Sequence, residues 1–184
     1  MSSEKQNNWA KLSIPAIVAL RLVLPFLLWR NVFITLLLMM FADWVDGDVF
    51  RRAFSSMRNN TYQLIDKSLD LYGYCFALIF TTRSSFFTVF LFLFLWRLTG
   101  YFVFLFKRER RVFVFFPNVF ELFFLLYVLT LTFPSLRIFL EGNHLWVSLF
   151  LLIIIKIVWE YLLHVTHFFT SVYEQFVDAE WLED

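Results

Sequence analysis

Residues 31–52 read NVFITLLLMMF and then ADWVDGDVFRR, an almost unbroken apolar run that ends in three carboxylates, Asp43, Asp46 and Asp48. Residues 62–74, YQLIDKSLDLYGY, place two more, Asp66 and Asp70, on the way into another apolar run. The apolar runs are too long and too uniform for barrel strands, so helices are expected. Composition points the same way. Of 184 residues, 60% are hydrophobic and 17% charged, where a soluble domain carries about a quarter charged. Mean hydropathy is +0.69. A water-soluble fold of this length cannot hide that much apolar surface, so an integral membrane protein is predicted.

Working outward, apolar segments at 12–29, 32–47, 63–82, 84–106, 112–133 and 144–169 predict an all-α bundle of about six transmembrane helices. They form a single domain over 1–184, with a short cytosolic segment at 1–11 and an acidic cytosolic tail at 171–184. No small-residue cleavage site follows the first run, which is therefore read as a retained span. No internal repeat is visible, and the 27 Phe read as lipid-facing bulk. A net charge of +1 gives no field for nucleic acid, and the lone Cys75 excludes an internal disulfide framework or a thiolate cluster. With a cytosolic N-terminus, one side holds Lys5, Lys11, Arg51, Arg52, Arg58, Lys67, Lys107, Arg108, Arg110 and Arg111. The other side then holds only Arg30, Arg83 and Arg137. The positive-inside rule places both termini and both acidic stretches at the cytosol.

Asp43 and Asp46 are three apart and Asp66 and Asp70 four apart, so each pair lies on one helix face. With ~1.5 Å of rise per residue, Arg21 should share the depth of Asp43, and Arg97 that of Asp70. Two opposed acidic faces repel and take up protons unless a cation joins them. Mg²⁺, Mn²⁺ and Ca²⁺ prefer carboxylate oxygen, and one or two such ions favour a phosphate-bearing substrate. The competing reading is of solvated helix ends paired with Arg51, Arg52 and Lys67.

The run Asp43, Asp46, Gly47, Arg51, Asp66 and Asp70 resembles the signature of the CDP-alcohol phosphatidyltransferases, D-x-x-D-G-x-x-A-R followed by G-x-x-x-D-x-x-x-D. Arg21 and Pro25, in PAIVALRLVLPF, are similar to that family's first helix. The resemblance implies a six-helix fold and a membrane enzyme of phospholipid synthesis, with a CDP-linked lipid donor, an alcohol acceptor and a possible homodimer. It implies two divalent ions, Mg²⁺ or Mn²⁺, on Asp43, Asp46, Asp66 and Asp70, with Asp70 also the catalytic base. Gly47 and Arg51 would bind the CDP moiety, and Arg97 the acceptor.

Phe50 stands where the family has Ala, and Tyr62 where it has its second Gly. The Lys-rich segment that follows the fourth helix in members taking phosphorylated acceptors reads FFPNVFELF here, which favours a less charged acceptor. These departures fit a remote active member or one that has lost activity. A cation-path transporter and a prenyltransferase with two Asp-rich motifs are the competing classes. Among other polar residues, KRERR at 107–111 is expected on lipid head groups. Glu121 is expected to bond Asn118 or line the acceptor cavity, and Lys156 to pair with Glu160 four residues on. His164 and His167 are read as interfacial packing.

Overall fold

The computed structural model describes residues 3–54, 60–109 and 111–164. It is helical, with no strand among the described residues. The acidic tail, His167 and Arg58 lie outside them, as do the side chains of Phe50, Arg51, Arg52, Tyr62 and His164.

Helix α1 (Ser3–Val23) stops where Pro25 withholds a backbone hydrogen, and the chain tightens into a 3₁₀ segment, Leu24–Trp29. Asn31 then starts α2 (Val32–Phe54): its Oδ1 accepts the Ile34 amide at 3.0 Å, the usual service of an N-cap asparagine. Helix α3 (Asn60–Phe80) is followed by a 3₁₀ turn, Thr81–Arg83, and by α4 (Phe87–Lys107). The apolar run that reads as one span at 112–133 is divided in two. One helical turn, α5 (Val112–Phe115), precedes the helix α6 (Val119–Thr132), with Pro117 in the break. A 3₁₀ segment, Pro134–Leu140, leads into α7 (Gly142–His164).

Helix α1 packs on α2 and α3, and α6 sits among α2, α3, α4 and α7. Phe90 of α4 has no exposed surface and meets the rings of Phe120, Phe123, Phe124 and Tyr127 on α6. Phenylalanine therefore builds the core here as well as the outside, where Phe41, Phe92 and Phe150 stay exposed. Gly100 is where α4 approaches the α5–α6 break; a Cβ there would fall 2.3 Å from the Cβ of Phe116. Among the described residues two stretches, Phe87–Lys107 and Gly142–Leu162, are long and apolar enough to cross a membrane. Helix α6 alone, at 14 residues, is shorter than a bilayer core needs.

Candidate functional site

The second half of α2 carries Asp43 and Asp46, and the first half of α3 carries Asp66 and Asp70. The packing of both helices on α1 brings these four carboxylates to one side chain, Arg21, in the last turn of α1. Its Nη2 lies 2.8 Å from Asp43 Oδ1 and 2.6 Å from Asp70 Oδ1. Its Nη1 lies 3.1 Å from Asp66 Oδ1 and also bonds Asp46 Oδ2. Lys67 adds a second cation, with Nζ at 2.7 Å from Asp66 Oδ2 and 3.1 Å from Asp70 Oδ2. Arg21, Asp46 and Asp66 are buried, and Asp43 opens outward with 47% of its side chain exposed.

Four carboxylates thus meet two described cations, Arg21 and Lys67, and the charge of Arg97 also reaches Asp70. Spacing decides whether these donors could share a metal. One oxygen from each of Asp43, Asp46 and Asp66 lies within 4.8 Å of the others. Opposite oxygens on one Mg²⁺ stand about 4.2 Å apart and on one Ca²⁺ about 4.8 Å, from their bond lengths. These three donors could hold a metal ion, provided the Arg21 guanidinium yields part of its hold on Asp46 and Asp66.

Of the residues singled out from sequence, the four Asp converge. Gly47 is buried on α2 one residue after Asp46, and Arg51 is on the same helix with its side chain undescribed. Lys67 pairs with the acids, as the competing reading expected; Arg51 and Arg52 cannot be placed beside it. Arg97 has a different setting. Its Nη1 donates to the Phe116 carbonyl at 2.9 Å, lies 3.7 Å from Glu160 Oε1, and the guanidinium stands 4.5 Å from the Phe113 ring centre. Glu160 in turn accepts the Asn118 amide at 3.4 Å. The two side chains satisfy the backbone groups that Pro117 frees, a requirement wherever a helix breaks away from water. Lys156 pairs with Glu121 at 3.1 Å, across helices, where the i,i+4 spacing pointed to Glu160.

Glu121 bonds Asn118, as one of the two readings of it expected. Its Oε2 accepts Asn118 Nδ2 at 2.9 Å, and it lines a cavity that also touches Arg21, Asp43, Asp70 and Tyr74. Arg21 as the hub and Tyr74 as part of the cavity wall were not legible as site residues. Sequence offers the height of Arg21 in the bilayer, and no sign of which way its helix faces. Comparison with models of known protein families, with curated proteins and with solved structures finds no match to this chain, so the chemistry of the site rests on its own side chains.

Proposed function

We propose that this chain is a multi-pass membrane enzyme of about six spans, a divergent CDP-alcohol phosphatidyltransferase with its site and both termini at the cytosol. The observation that carries this reading is the meeting of Asp43, Asp46, Asp66 and Asp70, from two helices, around one guanidinium at the end of α1. Buried ionisable groups in an apolar bundle are costly, and such an arrangement is a functional site by default. The order of these acids with Gly47 and Arg51 resembles the family signature, which supports this reading.

In this reading Asp43, Asp46 and Asp66 hold divalent metal, Mg²⁺ or Mn²⁺, with Asp70 beside them. When bound, the metal neutralises charge on a diphosphate and its leaving group. Asp70 takes the proton of the acceptor hydroxyl. The hydroxyl oxygen bonds to the phosphorus that carries the lipid, and the bond from that phosphorus to CMP breaks, the electron pair leaving with CMP. Gly47 keeps the α2 backbone accessible to the cytidine, and Arg51 offers a guanidinium fork to the nucleotide phosphates. Arg97, anchored by Phe116 and Glu160, stays near enough for its charge to reach Asp70 and Tyr74 and so to act on the acceptor.

Purified protein supplied with a CDP-lipid, an alcohol and Mg²⁺ or Mn²⁺ should release CMP. Asp70→Asn should lower that rate about 100-fold or more, the usual contribution of a general base. Equal rates in the two proteins would remove Asp70 from its role, and absence of metal-dependent CMP release across acceptors would end the reading.

A further inference from the structure

Next to the acids lies a cavity of about 60 Å³. Asp70 and Tyr74, one turn apart on α3, both line it, as do Arg21, Asp43 and Glu121. Met39 and Gly73 close it on another side, where a Cβ on Gly73 would come within 3.0 Å of Met39 Cε. A water needs about 10–15 Å³ of such space, so the cavity admits a small solute of several heavy atoms.

The polar groups of the wall itself are mostly acceptors: Asp43, Asp70, Glu121 and the Tyr74 hydroxyl, against Arg21. Glu121 receives Asn118 Nδ2 and Lys156 Nζ, both on Oε2, so its Oε1 is the oxygen left to an occupant. Tyr74 accepts a hydrogen bond from the Asn118 amide and presents an aromatic ring. Asn118 itself is 5% exposed, and its Oδ1 is a buried acceptor without a donor among the described residues. The one cation in the wall, Arg21, is already held by four carboxylates. Among the described wall residues, a phosphorylated solute would face Asp43, Asp70 and Glu121, with Arg21 already engaged. A small cation would meet carboxylate oxygen and a ring face, the two surfaces that bind ammonium groups.

We propose that this cavity is the acceptor subsite and takes a small amino alcohol of ethanolamine size, its ammonium on Glu121 and Tyr74 and its hydroxyl on Asp70. The transfer to that hydroxyl rests on the transferase reading given above; the binding itself does not.

Two measurements on the full chain in lipid nanodiscs separate the claims. Ligand-observed NMR titration should show ethanolamine binding, glycerol binding at least tenfold more weakly, and no binding of glycerol 3-phosphate. Glu121→Gln should weaken ethanolamine at least tenfold. Since that change also touches Lys156, Tyr74→Leu serves as a second variant, and both are compared only where their melting matches the parent within a few degrees. Glycerol 3-phosphate binding as well as ethanolamine, or ethanolamine binding unchanged in either folded variant, overturns the proposal. In the second measurement, CMP is added to vesicles of phosphatidylethanolamine or phosphatidylglycerol. Ethanolamine released in preference to glycerol supports both claims. Selective binding with no CMP-dependent release leaves the cavity assignment standing and sinks the transferase reading. Preferential release of glycerol does the reverse.

Discussion

Arg21 sits among carboxylates that could hold a metal ion, and its removal distinguishes a structural hub from a seat that a metal can share. Replacing it by Gln leaves four carboxylates with Lys67 as their described counter-charge. Breaking a buried ion pair from one side costs about 3–5 kcal/mol, so Arg21→Gln should melt well below the parent in chelator. A divalent ion restores charge balance in the variant more than in the parent, where the guanidinium competes. An ion at a hundred times its Kd stabilises by about 2.7 kcal/mol, a readable shift in melting temperature. Mn²⁺ should therefore raise the melting temperature of the variant more than that of the parent. The same shift in both, or none in either, would remove the metal from this site. The acids were legible because their spacing, three and four, is helical and their setting is otherwise apolar. The guanidinium among them was not, because depth follows from residue count but azimuth follows only from packing.

At the scale of the element, the break between α5 and α6 is the feature hydropathy could not show. Residues 112–133 are apolar throughout, and only Pro117 followed by Asn118 signals that the hydrogen-bond ladder is cut. Once it is cut, Phe116 has a carbonyl to satisfy and Asn118 an amide, and Arg97 and Glu160 supply the partners. Two polar residues that the resemblance and the spacing pointed elsewhere are thereby accounted for. Arg97→Met and Glu160→Gln should each destabilise the protein, and the double variant should lose less than the two losses together. A coupling of about 0.5–3 kcal/mol is expected for neighbours in one network. Additive losses, measured by denaturant titration in micelles, would show that the two act independently. Gly100→Ala probes the same break from α4, since its Cβ would overlap Phe116. It should destabilise the break by forcing α4 and the loop apart, beyond anything its gain in helix propensity returns.

At the scale of the whole molecule, the open question is how the helices lie across a bilayer. Most of the apolar side chains of α7 face outward, among them Trp146 and Phe150, exposed by 67% and 62%. A face of that kind suits lipid, as do the exposed Phe41 and Phe92 on α2 and α4. Helix α4 is the best test because it spans about 32 Å at its 21 residues, against a hydrocarbon core of about 30 Å. It is flanked by Ser85 on one side and by Glu109, beside Lys107 and Arg108, on the other. The chain has a single cysteine, Cys75, exposed on α3, so a cysteine-free background needs one mild change, Cys75→Ala. In that background Ser85→Cys should react with a membrane-impermeant maleimide from outside intact cells, and Glu109→Cys only after the membrane is opened. In the parent, Cys75 should resist the same reagent until denaturation, because its neighbours on that face are lipid-covered in this arrangement. Labelling of both introduced cysteines from the same side would mean that α4 does not cross, and the acids near its cytosolic end would lose their place at a membrane surface.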